Sequence, residues 1–135
     1  MAYPITDIRG IGADTAMILK SEGIRTTVGL LQLAKTPKQR LKIAERVGTD
    51  DKCVLDWVTA ADRMRVKGVG WEYSELLCAA GVKTVKELKF RNPQKLVDQM
   101  TAANDRRKLV RLLPSVKAVE RWIESAKKLP PVIRY

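Results

Sequence analysis

Two short runs hold the residues best suited to chemistry: Arg9-Gly10-Ile11-Gly12-Ala13 and, after Arg65, Lys67-Gly68-Val69-Gly70-Trp71. In each, a cation precedes a glycine, an aliphatic residue and a second glycine. The glycines permit a tight connection between two helices, and Ile11 or Val69 turns inward to fix their angle. The second glycine leaves bare the amides that open the next helix. Those amides have no intrahelical acceptor and carry the positive end of the helix dipole, so the chemistry on offer is the holding of a phosphate oxygen. Contacts of this kind reach a sugar-phosphate backbone and do not read bases. A third cluster, Arg106-Arg107-Lys108 with Arg111, adds Coulombic attraction for the same class of ligand.

Other chemistry is thin. The chain has no histidine, which removes the commonest general base and the commonest metal ligand. Ser-His-Asp and Cys-His catalysis and every histidine-containing zinc site are excluded, no lysine stands in a setting that would lower its pKa, and Asp50-Asp51 reads as a helix start and not as a metal pair. Cys53 and Cys78 stand alone and are expected to be reduced, buried thiols. The expectation is a non-enzymatic protein with no cofactor and no metal. Its opening residues do not have the pattern of a secretory signal and no apolar run is long enough to span a membrane, so a cytoplasmic place with no membrane partner is expected.

The elements that must position these residues come in two copies. Displaced by 58 positions, residues 8–30 fall on residues 66–88 without a gap, and six of the 23 pairs are identical, Gly10/Gly68, Gly12/Gly70 and Gly23/Gly81 among them. Thr36-Pro37 then corresponds to Asn92-Pro93, and Trp57 to Trp122. The reading is two units, 1–64 and 65–135, sharing a core. Each unit reads as helices punctuated by glycines that end them (Gly23, Gly48, Gly81) and by residues that cap them (Thr26, Thr36, Thr49, Thr84, Asn92, Ser115). The last helix runs up to Pro130-Pro131. No stretch alternates with period two, so the expected fold is all-α, a compact multi-helix domain. Trp57 and Trp122 are expected in the core; Trp71 and Tyr73 begin the second unit's helix and are read as core residues ahead of a stacking contact with a base or ribose or a contact with a partner.

The chain holds 26 Lys+Arg against 15 Asp+Glu, a net charge of +11. Residues 1–64 contribute 10 − 8 = +2 and residues 65–135 contribute 16 − 7 = +9, so a polyanion would meet the second unit first.

The spacing Ile5-x-x-Ile8-x-Gly10-Ile11-Gly12-x-x-x-Ala16-x-x-Leu19 and its second copy through Gly68-Val69-Gly70, Ser74 and Leu77 resemble the helix-hairpin-helix motif. The pair resembles the tandem helix-hairpin-helix domains of DNA repair, recombination and replication proteins, over about 120 of the 135 residues. The whole chain also resembles a bacterial family of unknown function, through Met64-Arg65-Val66-Lys67-Gly68-Val69-Gly70 and the tail Lys127-Lys128-Leu129-Pro130-Pro131-Val132. The resemblance to that family implies a fold of duplicated helix-hairpin-helix units and not an established activity; the hairpin amides and the basic second unit give the expectation of a nucleic-acid partner, DNA ahead of RNA. The chain departs from DNA-binding versions in placing Asp14 and Glu72 in the first turn after each glycine pair, where a carboxylate suits the dipole but repels a phosphate. The alternative expectation is a protein-interaction or scaffolding module that uses the same hairpins to dock a partner or to self-associate.

Overall fold

A computed structural model describes residues 2–135. A 3-10 turn at Ile5–Asp7 is followed, among the described residues, by eight α-helices: α1 (Ala13–Ser21), α2 (Thr27–Leu33), α3 (Pro37–Val47), α4 (Asp51–Arg63), α5 (Trp71–Ala79), α6 (Val85–Lys89), α7 (Pro93–Arg107) and α8 (Val116–Lys128). No strand forms among them; one isolated antiparallel bridge joins Pro4 to Thr26. The fold is all-α, as the 3.6-residue periodicity requires.

Side-chain caps set most of the helix starts. Thr26 accepts from the Gly29 amide at 3.1 Å, Thr84 from Glu87 at 3.1 Å, Asn92 from Lys95 at 3.0 Å and Ser115 from Ala118 at 3.1 Å. Thr36 and Gln39 cap one another reciprocally, with Pro37 in the first turn where its missing N–H costs nothing. One cap differs from the sequence reading. Asp50, not Thr49, caps α4, accepting from the Cys53 amide at 2.7 Å. Thr49 is committed to the helix before it, because its amide donates to Ala44 O at 2.9 Å across the left-handed Gly48. α1 and α5 end alike: Gly23 and Gly81 have positive φ, and the next amides, Ile24 and Val82, reach back to Leu19 O and Leu77 O at 2.9 Å. α8 stops at Lys128, two residues before Pro130.

The buried hydrophobics fall into two clusters. The first takes in Ile5, Ile11, Leu19, Leu30, Val54 and Trp57; the second takes in Val69, Leu77, Leu96, Met100 and Trp122. α4 packs on α2 and α3, α8 packs on α6 and α7, and α4 meets α5 at the junction. The tail after α8 then crosses back: Val132 and Ile133 pack on the first cluster, and the Arg134 amide donates to Lys35 O at 2.8 Å.

Candidate nucleic-acid interface

The two glycine turns share their local geometry. Gly10 and Gly68 have φ of 94° and 91°, in the left-handed region. The Ile11 amide donates to Ile8 O at 3.1 Å and Val69 to Val66 O at 3.0 Å, and both Ile11 and Val69 are buried. A Cβ on Gly10 would stand 3.2 Å from Trp57 Nε1, and one on Gly68 would stand 3.1 Å from Trp122 Nε1. The first glycine of each turn is thus required by its dihedral and by the tryptophan beneath it. The turns differ in what leads into them: all of α4 precedes Gly68, whereas a single 3-10 turn precedes Gly10, where the sequence suggested a helix.

The second glycines, Gly12 and Gly70, answer to a different demand. Both are N-caps in extended conformation, and a Cβ on either would meet nothing within 4 Å. Among the eight α-helices, α1 and α5 are the two whose N-caps make no side-chain hydrogen bond. Their opening amides are left to solvent or to a ligand.

The turns open onto adjoining clefts. One is lined by Thr6, Asp7, Arg9, Gly10, Gly12 and Trp71; the other by Gly68, Gly70, Trp71, Glu72, Tyr73 and Arg111. Trp71 belongs to both and keeps 46% of its surface exposed. The fold therefore brings Arg9, both turns, Ala13 at the start of α1, Trp71 and Arg111 to neighbouring surface. Arg9 makes a long ion pair with Glu75 of α5, 3.8 Å, and its side chain remains 61% exposed. Lys67 is exposed and lines a broader groove with Leu112, Arg121 and Trp122. Arg106, Arg107 and Lys108 are exposed at the end of α7 and line neither of the two clefts. Asp14 and Glu72 are exposed in the first turns of α1 and α5.

Arg65 does not join this surface. Its Nε and Nη2 both lie 2.7 Å from Asp62 Oδ1, its Nη2 donates to Pro130 O at 3.0 Å, and its side chain is 15% exposed. Burial pushes the Asp62 carboxyl above the usual carboxylate value, and the Arg65 charge works against that shift. A neighbouring arginine that the sequence did not single out is placed deeper still. Arg63 Nε donates to Ser74 O and Ser74 Oγ at 3.0 Å, and its Nη1 to Lys83 O at 3.0 Å, so the end of α4 grips α5 and the turn that follows it. Arg40 similarly binds Lys35 O at 2.7 Å and Arg134 O at 2.8 Å. Burial lowers the pKa of both guanidinium groups, and acidic neighbours oppose the shift.

Trp57 and Trp122 are buried core residues. The Tyr73 ring lies 5.2 Å from Trp122, and its hydroxyl donates to Leu112 O at 2.9 Å. Cys53 and Cys78 are free and half-buried, more open than the buried thiols expected. Among the described residues no group of three or more Cys, Asp and Glu could hold a metal ion, and no helix is long and apolar enough to cross a membrane.

A family model described as Domain of unknown function (DUF4332) matches residues 9–129, a span that takes in both glycine turns and the basic segment 106–111. No curated protein and no solved structure matches the chain.

Proposed function

The chain belongs to that family, and we propose that it binds the nucleic-acid backbone, DNA ahead of RNA, without reading sequence and without catalysing a reaction. The observation that carries this reading is the pair of α-helix starts without side-chain caps, on clefts that share Trp71, where the other six α-helices among the described residues are all capped by a side chain. On this reading the two turns are helix-hairpin-helix motifs whose amides meet phosphate oxygens. Arg9, Lys67 and Arg111 supply charge beside them, and Arg106, Arg107 and Lys108 extend the field beyond the clefts. A second reading, a scaffold that docks a protein partner or self-associates, draws on Asp14 and Glu72, whose carboxylates stand in the first turns where phosphates would come.

A salt-titrated binding assay with duplex DNA of mixed sequence separates the two. Backbone binding releases counterions, so log K should fall linearly with log salt, with a slope of about −0.9 per phosphate neutralised. The triple charge reversal R106E/R107E/R111E is expected to weaken binding by about tenfold or more at moderate salt. The pair D14N/E72Q should strengthen it, because a like charge is removed from each phosphate position. Duplex affinity that ignores salt and the triple reversal, with self-association in sedimentation, would favour the scaffold.

A further inference from the structure

We infer that the surface around Trp71 is built for an unpaired strand, with one base stacked on the indole and the flanking phosphates held by Arg9 on one side and Arg111 on the other. This rests on the nucleic-acid reading above and adds a strand preference to it.

Amides and cations alone give no preference for an unpaired strand, since both ligands present phosphates and the duplex presents them at the higher charge density. An exposed aromatic face is not indifferent. Bases in a duplex stack on each other, so an indole gains a base only where a base is free. Of the three tryptophans, Trp57 is 5% exposed and Trp122 is 4%, while Trp71 is 46% exposed. Trp71 is also, among the described residues, the one that lines both clefts. Tyr73, two residues on, does not share this role, because its ring packs on Trp122 and its hydroxyl is bonded to Leu112 O.

The charges around the ring point the same way. The first cleft sets Asp7 beside Arg9, and the second sets Glu72 beside Arg111. Each cleft pairs one cation with one carboxylate, so Arg9 and Arg111 place a phosphate beside the ring while the net charge there gives little discrimination between ligands. The Arg9–Glu75 pair weakens the first cleft further. With the electrostatics balanced, contact with the indole decides which ligand is held. A strand laid across the ring places its base on the indole and a phosphate in each cleft, which a duplex cannot do without giving up a stacked pair.

The test uses the full chain with an oligothymidylate of about 16 nucleotides and a duplex of equal length. Because the other two tryptophans are buried, quenching of tryptophan emission reports on Trp71. The expected result is tighter binding of the single strand, with emission quenched as it binds. Trp71→Ala should lose about 5- to 100-fold on the single strand and change duplex affinity less than about threefold, and Trp71→Phe should keep most of the preference. Circular dichroism confirms that each variant is folded. Equal loss on both ligands, or no loss on either while R111E still weakens binding, overturns the stacking inference and leaves backbone binding intact. No affinity for either ligand at low salt overturns both.

Discussion

A methyl group added at Gly68 would press on the Trp122 indole and hold a backbone at φ 91°, where an L-residue is strained. The same methyl at Gly70 would meet nothing. Gly68→Ala is therefore expected to lower stability by about 1–3 kcal/mol, seen as a shift in urea midpoint. Gly70→Ala should cost less than about 1 kcal/mol, the difference between cap residues, yet reduce DNA affinity several-fold, because Gly70 lines the cleft and the methyl takes up space in it. Equal stability losses, or unchanged binding in Gly70→Ala, would contradict this division of labour. One Gly-x-Gly is a weak signal, but the sequence made the glycines legible through two copies, each followed eleven residues after its second glycine by another glycine, Gly23 or Gly81. It did not reveal Arg65, Arg63 or Arg40 as structural residues. Their partners include backbone carbonyls, Pro130 O, Lys83 O and Arg134 O, and a carbonyl leaves no mark in a sequence.

At the scale of elements, helix boundaries were legible wherever the signal was local. Thr36-Pro37, Gly23 and Gly81 do their work within one turn, and the structure places them accordingly. Thr49 shows where locality fails, because two adjacent residues were both fit to cap α4 and the closing of α3 decided between them. The tail 129–135 is the element the sequence least described, having no periodicity of its own. It carries Val132 and Ile133 to the first cluster and gives Arg40 an acceptor at Arg134 O. Removing residues 130–135 should lower stability by about 2–4 kcal/mol, through lost apolar burial and an unmet bond on a buried guanidinium. Hydrogen exchange should show amides of α2 and α3 losing protection more than those of α7. A truncated chain with unchanged urea midpoint would show that the tail only rests on the surface.

At the scale of the molecule, the charge asymmetry is a property of composition and needed no structure. The meeting of the two turns at Trp71 did need one. It depends on how α5 is set against α4, and the Arg63 bonds to Ser74 and Lys83 contribute to that setting. The two hydrophobic clusters are tied by those bonds, by Arg9 to Glu75 and by the returning tail. Three ties of this kind should make the halves unfold together. Calorimetry is expected to give one transition whose calorimetric and van't Hoff enthalpies agree. Two resolved peaks would mean that the clusters are independent and the shared surface at Trp71 is loosely held.

The contacts of Trp57 over Gly10 and Trp122 over Gly68 also limit how such a chain can drift over generations. A residue larger than glycine is strained by the positive φ and crowds the indole, and a residue smaller than tryptophan leaves a void beneath the turn. A change at either partner alone brings strain or a void, so these four positions form two physically linked pairs. In distant descendants that have lost most other likeness, this quartet is the fingerprint by which kinship should still be recognised.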